Sequence, residues 1–334
     1  MLLRSGLIIF FLSITCASCW KKTNSKKESI DTKKVLPSNT GSESELVLVI
    51  SDELWSGKAG DIISSVLQEN IKAAPQQEAL FDIYNIEDKD FSSIYKTHKN
   101  ILWVSCSENE AFERVNQMWS KDQLYIHLSS TSEEALLSNL EDHIYTIRSW
   151  FLDKDQQRRL KKLKSSCDKE IQKQIQQSYK LSITIPSGYQ VASSEDNFIW
   201  LRKDNPKVNV VSNIWIYSEA YNGPEQFNKQ YLIALRDSLG KAHVGGSRPQ
   251  SFMAIETLYD PDYMLVKERP YTVATKGLWT MVNDFLGGSY TAYAILDEEK
   301  QRIVYAEGFI YCPSERKRSH IFELETILSG LELN

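Results

Sequence analysis

The chain has 334 residues and a mass of 38.4 kDa, a length that suggests two domains. Hydrophobic residues make up 42% of it and charged residues 25%, a globular composition that excludes disorder of the whole chain. The formal net charge is -5 and the pI about 5.7, so the chain lacks the overall positive charge of a nucleic-acid-binding protein.

Residues 1–18 have the pattern of a signal peptide. Arg4 precedes an apolar run from Leu7 to Ile14, which is shorter than the roughly 20 residues of a membrane-spanning helix. Two small residues stand directly before Cys19, as in a bacterial lipobox. We therefore expect cleavage before Cys19 and acylation of its thiol. The alternative is a soluble secreted protein released by ordinary signal peptidase.

Residues 19–45 are predicted to be the lipidated cysteine followed by a flexible tether, because this segment has almost no aliphatic residues. Its lysine-rich part, 21–34, is interpreted as a solvated linker, with contact to anionic headgroups as the alternative. Trp20-Lys21-Lys22 occupies the place where an acidic run would resemble a surface-export signal. The expected location is therefore the outer membrane of a bacterial envelope, with the protein facing the periplasm.

Residues 46–152 have the pattern of an α/β domain. Short apolar runs predict strands at 45–50, 81–86, 100–105 and 123–128. A helix with apolar residues at helical spacing follows the first strand, and a long helix is predicted to begin in a capping box at Ser130 or Thr131. The alternation of strand and helix predicts an α/β layer.

Residues 153–178 are predicted to form a connecting helix, because the apolar stripe narrows there and five cations fall within 158–164. The basic face is interpreted as solvated, with a polyanion as the alternative partner. Over 179–334, β-branched and aromatic runs bounded by turn residues predict an antiparallel sheet, with helices packed on it. The predicted fold class is thus α+β: an N-terminal α/β layer, a long connecting helix and a C-terminal antiparallel sheet.

The loop from Asp52 to Gly60 is the candidate site of the first domain. It follows a predicted parallel strand, at the edge where α/β sheets usually bind ligands. Asp52, Trp55 and Gly57 are the candidate binding residues. Acidic residues outnumber Lys58 in this loop, which disfavours phosphate. The alternative is a turn that is only structural.

A second candidate cluster lies in the C-terminal half and consists of Trp279, Asn283, Asp284, Gly287 and Gly288. The favoured interpretation is a tight turn in which the two glycines supply positive φ and the polar side chains satisfy backbone groups. Ligand binding is the alternative.

No residue pattern specific to catalysis or metal binding occurs. The five histidines are scattered, and neither a His-Glu-x-x-His nor a Gly-x-Ser-x-Gly motif is present, so no catalytic residue, metal or cofactor is assigned. Cys106 and Cys167 are expected to be buried small hydrophobes. If the protein is an enzyme, Asp52, Asp284 and Glu307 are the candidate acid/base groups.

An ordered set of short motifs resembles the Bacteroidota lipoproteins grouped as domain of unknown function 4837. The motifs span roughly residues 45 to 330 and include Asp52-Glu53-Leu54-Trp55, Ile185-Pro186-x-Gly188-Tyr189, Gly277-Leu278-Trp279 and Asn283-Asp284-Phe285-Leu286-Gly287-Gly288. Ser289-Tyr290 and Lys276 depart from the residues usual in that family. The resemblance implies an envelope lipoprotein and supplies no activity. The second half is also similar to PsbP/Mog1-like domains, by analogy of fold.

Together these features predict a noncatalytic binding or scaffolding protein of the periplasm. Its expected partners are the membrane, through the lipid anchor, and an envelope protein or glycan, without nucleic acid. The alternative is an enzyme that acts on an envelope polymer, glycan or peptidoglycan, through carboxylates.

Overall fold

The structure is a computed structural model and describes residues 35–267 and 269–334. The expected signal peptide, Cys19 and most of the tether lie outside the described residues. Within the described ranges, helices that are both long and apolar enough to span a membrane are absent. Residues 36–334 form one compact unit. Its helices and strands form two different layers, so the fold class is α+β, as predicted.

The first layer is a five-stranded sheet. Its elements in chain order are β1 (Glu45–Val49), α1 (Asp52–Trp55), α2 (Lys58–Leu67), β2 (Asp82–Ile86), α3 (Ser93–Lys96), β3 (Asn100–Cys106), β4 (Ala111–Asn116) and β5 (Leu124–Ser130). The strand order is β2-β1-β3-β5-β4, and all neighbours are parallel except β4 and β5. The apolar strands β1 and β3 lie inside the sheet, and both were predicted as strands. The edge strand β4 was not predicted, because Glu113 and Arg114 interrupt its apolar pattern.

One 33-residue helix, α4 (Glu133–Ser165), joins the two layers. It does not break at 153, where the connecting helix was predicted to begin. Phe151 packs in the core of the first layer and Leu163 in a core of the second, so both layers hold the same helix. The N-cap is Ser132, whose hydroxyl accepts from the Ala135 N–H, and not the predicted Ser130 or Thr131. A short break separates α4 from α5 (Lys169–Tyr179).

The second layer is built on an eight-stranded antiparallel sheet. Its elements are β6 (Leu181–Ser182), β7 (Gln190–Ser194), β8 (Phe198–Asn205), β9 (Val210–Ala220), α6 (Lys229–His243), β10 (Phe252–Ile255), β11 (Asp262–Leu265), β12 (Thr272–Val282), β13 (Gly287–Asp297), β14 (Arg302–Tyr311), α7 (Arg318–Ser329) and β15 (Glu332–Leu333). The strand order is β10-β12-β13-β14-β9-β8-β7, with β11 paired to β12. Helices α5 and α7 share one core with the sheet and α6 shares another, so helices pack on both faces.

The apolar run over 180–185 opens the half that was predicted to form the antiparallel sheet, but most of it is not a strand. Only Leu181 and Ser182 pair, with the C-terminal strand β15. Ile183 and Ile185 are buried in the core that α5 and α7 share. Their alternating apolar pattern therefore reflects side-chain burial without strand pairing.

Candidate functional site

The order of the parallel strands changes direction between β1 and β3. The chain passes from β1 to β2 on one side of β1 and then places β3 on its other side. Connections that leave two neighbouring strands in opposite directions open a crevice at their carboxyl ends, which is where open α/β sheets bind ligands. A crevice of about 650 Å³ lies at this place. We call it the switch-point crevice.

Polar residues at the ends of three strands line the switch-point crevice. They are Ser51 and Glu53 after β1, Glu87, Asp88 and Lys89 after β2, Ser105, Cys106 and Ser107 at the end of β3, and Glu133 at the start of α4. Four carboxylates thus face a single cation, Lys89, which forms an ion pair with Glu87. This charge opposes phosphate and favours ligands that donate hydrogen bonds, such as sugar hydroxyls or amines.

One local and one long-range hydrogen bond hold the crevice wall. The Ser51 hydroxyl caps α1 by accepting from the Leu54 N–H at 3.3 Å. The Glu87 carboxylate accepts from the Asp52 N–H at 3.4 Å and so joins the end of β2 to α1. Hydrogen bonds from Lys89 and then from Asp52 lower the pKa of Glu87, which therefore stays ionised at neutral pH.

Cys106 was expected to be buried, but it is exposed at the crevice, because it is the last residue of β3 and its side chain lies at the sheet edge. Desolvation and the nearby Glu133 carboxylate raise the pKa of the Cys106 thiol. The thiolate is the nucleophilic form of cysteine. Cys106 is thus a neutral thiol at neutral pH and is not activated for nucleophilic attack.

The three predicted site residues of this loop do not line the crevice. Asp52 is exposed on α1, and half-buried Trp55 packs against the first core. Gly57 caps α2 with a φ of -103°, so it has no need of positive φ. The close approach occurs at Gly60, where a Cβ would lie 1.8 Å from the Trp55 carbonyl oxygen. Gly60 therefore allows α1 and α2 to pack together, while the neighbouring Glu53 lines the crevice.

The second predicted cluster holds a surface loop. The Asp284 carboxylate accepts from the Ser247 N–H at 2.9 Å, from its hydroxyl at 2.7 Å and from the Phe285 N–H at 2.8 Å. These bonds, the Ser247 hydroxyl first, lower the pKa of Asp284. Asn283 adopts the positive φ of 63° that the turn requires. The polar side chains therefore satisfy backbone groups, as in the favoured interpretation.

The role predicted for Gly287 and Gly288 is wrong. Both begin strand β13, and neither has positive φ. A Cβ on Gly288 would lie 1.9 Å from the Ile310 carbonyl oxygen of β14, while the Trp279 indole N–H donates to that same oxygen at 3.1 Å. Glycine is needed there for close approach of two strands, and the positive φ belongs to Asn283.

The three candidate acid/base carboxylates have separate surroundings. Asp52 is on α1 in the first layer, and Asp284 binds the Ser247 loop in the second. Glu307 is fully buried and accepts from Arg236 and Tyr305. It pairs with Ala292, five residues along β13 from Gly287, which is roughly 17 Å from the hairpin. Groups of three or more potential metal ligands are also absent from the described ranges.

The sequence analysis did not predict most residues of the switch-point crevice as site residues. Ser105 ends a correctly predicted strand and Ser107 lies just beyond it, and Glu133 begins a correctly predicted helix, so their positions were visible. Their proximity depends on β3 lying beside β1. Local sequence patterns do not predict the order of strands in a sheet.

Comparison with known proteins divides the chain into two parts. A family described as a domain of unknown function, DUF4837, matches residues 168–330, and a second, DUF8532, matches residues 39–164. The resemblance to DUF4837 was noted over residues 45 to 330, but the family matches only the second half of that range. The two matches meet at the break between α4 and α5. No curated protein matches the chain.

Among solved structures, a mutant of protein Mog1 is 11% identical with a TM-score of 0.31, and covers 46% of this chain and 90% of its own. The Saccharomyces cerevisiae Ran-binding protein Mog1p is 9% identical with a TM-score of 0.31, and covers 46% of this chain and 89% of its own. Likeness at this level carries no argument about function.

Proposed function

We propose that this chain is a noncatalytic binding protein of the bacterial cell envelope, anchored by an acylated Cys19, facing the periplasm and taking an envelope glycan in the switch-point crevice. The export pattern and Cys19 support the location. The DUF4837 domain found at 168–330 has no activity attached to its description. The position and chemistry of the crevice support the choice of ligand.

The observation that carries the proposal is the acidic crevice at the strand-order reversal. Ionised carboxylates are strong acceptors for sugar hydroxyls, and hydrogen bonds to charged groups are stronger than neutral ones. Ser51, Ser105 and Ser107 add hydroxyl groups, and half-buried Trp103 adds an aromatic ring to the lining. The volume of about 650 Å³ suits one to a few sugar units.

Glu133→Ala is expected to weaken binding of soluble peptidoglycan fragments about 10-fold, measured by titration calorimetry, because a charged acceptor is lost. Glu134→Ala is the matched control. Both residues are exposed in the first turn of α4, but only Glu133 lines the crevice. Equal losses in the two variants, or no binding by the unmodified protein, would contradict the glycan proposal.

Cys19→Ala is expected to abolish anchoring, because no thiol remains for diacylation before cleavage. The variant should accumulate unprocessed or leave the membrane fraction, as followed by detergent-phase partition and by the mass of the processed chain. Cys16→Ala is the control and should be processed normally. Normal processing and detergent partition of Cys19→Ala would overturn the anchor.

A further inference from the structure

A second cavity, of about 750 Å³, lies between the two layers. The segment leading into β1, the end of α4 and the start of α7 form its walls. Its charged lining consists of the cations Lys99, Arg159, Lys162, Lys203, Arg316 and Arg318 and the carboxylates Glu43, Glu45, Asp82 and Glu323. We call it the interlayer cleft. The cleft therefore has an excess of positive charge, whereas the whole chain and the switch-point crevice carry net negative charge.

Part of this positive charge is already paired. Asp82 on β2 accepts from Arg316 at 2.9 and 3.0 Å and from Arg318 at 2.5 Å. Lys99 and Lys162 form no ion pair with any described carboxylate. Burial lowers the pKa of Lys99, which reflects an ammonium group that has lost water. Neither lysine thus has a described carboxylate within ion-pair distance, although the more distant Asp155, Glu43 and Glu45 partly offset the effect of burial on the pKa of Lys99.

Arg159 has an unsatisfied donor at the centre of this lining. It is only 7% exposed, and its Nε donates to the Thr326 hydroxyl at 3.2 Å while its guanidinium lies 5.1 Å from the Phe322 ring centroid. Its Nη1 is buried and has no hydrogen-bond partner among the described residues. Nη1 forms an ion pair with the Glu43 carboxylate at 3.7 Å, which is too long for a hydrogen bond, and Glu43 lines the cleft. Nη1 therefore lies on the Glu43 side of the guanidinium, next to the cleft lining.

A buried guanidinium donor without a partner is costly, and such donors are normally satisfied. The fork of a guanidinium matches the oxygens of phosphate and carboxylate, and lysines supply further point charge. We propose that the interlayer cleft binds an oxyanion, phosphate or carboxylate, carried by a small molecule, with Arg159 Nη1 as the direct donor and Lys99 and Lys162 as counter-charges. The cavity volume lies in the range of small-molecule sites. This site is separate from the glycan crevice and does not depend on it.

Titration calorimetry of the full chain, with inorganic phosphate and citrate as probes, tests the site. We expect saturable binding of at least one probe that weakens as salt is raised. Phosphate alone would assign a phosphate group, and citrate alone a carboxylate. Vesicles of phosphatidylglycerol distinguish a lipid headgroup from a free anion, since preference for vesicles over both soluble probes would overturn the small-molecule assignment.

Lys162→Gln should weaken probe binding about threefold or more, whereas Lys164→Gln should leave it unchanged. Both lysines are exposed in the last turn of α4, but only Lys162 lines the cleft. Glu43→Gln should tighten binding, because it removes the competing carboxylate. Arg159→Met should abolish binding while the melting temperature shows that the chain still folds.

Equal effects of Lys162→Gln and Lys164→Gln would indicate general surface charge and overturn the proposal. The absence of phosphate and citrate binding in the unmodified protein would also overturn it. Peptidoglycan binding at the switch-point crevice is measured on the same sample, so failure of one site is distinguished from failure of the other.

Discussion

Glu307→Leu is expected to lower the free energy of unfolding by about 3 to 5 kcal/mol, because it leaves the charge of Arg236 buried without its partner. Glu307 and Arg236 are 0% and 1% exposed, and the Arg236 Nη2 donates to the Glu307 carboxylate at 3.0 Å. The Tyr305 hydroxyl donates to the other carboxylate oxygen at 2.7 Å. Urea unfolding, with a check that the m-value is unchanged, measures the loss.

The charge of Arg236 depends on Glu307 and on the other groups packed around the guanidinium. Burial lowers the pKa of Arg236 and the Glu307 carboxylate raises it, with a net shift upward, so the guanidinium stays charged. Its Nε and Nη1 are buried and have no hydrogen-bond partner within 35–267 and 269–334, and the guanidinium lies 4.2 Å from the Tyr290 ring centroid. The arginine is therefore already incompletely satisfied, and losing Glu307 removes its main compensation.

The double variant Arg236→Met/Glu307→Leu should recover most of the stability, since replacing a buried ion pair with apolar side chains is often neutral or stabilising. The control is Asp204→Ala, which breaks an ion pair with Arg202 in which both side chains are about half exposed, and should change stability by less than about 1 kcal/mol. A loss below about 1 kcal/mol for Glu307→Leu would show that the buried pair is not a main source of stability in this sheet.

Gly288→Ala is expected to destabilise the protein by about 1 to 3 kcal/mol, because the added methyl group meets backbone. Its Cβ would lie 1.9 Å from the Ile310 carbonyl oxygen, and that oxygen also accepts from Trp279. Strands β13 and β14 would have to separate locally. Thermal unfolding measures the loss as a lower melting temperature.

Two comparisons identify the cause. Gly245→Ala is the matched control, because the nearest atom to its added Cβ would be 3.9 Å away, and it should have little effect on the melting temperature. Gly288→Asn separates close approach from positive φ, since Asn tolerates the left-handed region but is larger than Ala. If Gly288→Asn were milder than Gly288→Ala, the close-approach explanation would be wrong.

Local patterns predicted several elements well. The apolar runs around Leu48 and Leu102 became the buried parallel strands β1 and β3, since a strand covered on both faces has no solvated side. The β-branched and aromatic runs of the second half became an antiparallel sheet. The local part of the turn chemistry, the positive φ of Asn283 and the bond from the Phe285 N–H to Asp284, was also visible, whereas the bonds from Ser247 are long-range.

Long-range contacts account for what local patterns missed. Whether α4 ends near 153 or continues to Ser165 depends on Leu163 finding a core in the other layer. Glycine at 288 is explained by Ile310, which is 22 positions further along the chain and lies beside it only after β13 and β14 pair. A sequence pattern records that a residue is small, and does not record which strand will approach it.

The sequence by itself determined the α+β class and the change of character between the two halves, because each depends on periodicity or composition within a short window. Only the tertiary structure decided where the cavities lie. The switch-point crevice requires β3 to pair with β1, and the interlayer cleft requires α7 to pack near α4, so that Arg159 and Arg318 line one cavity although they are 159 positions apart. Contacts at such separations follow from the burial of whole layers against each other, which no local window of sequence contains.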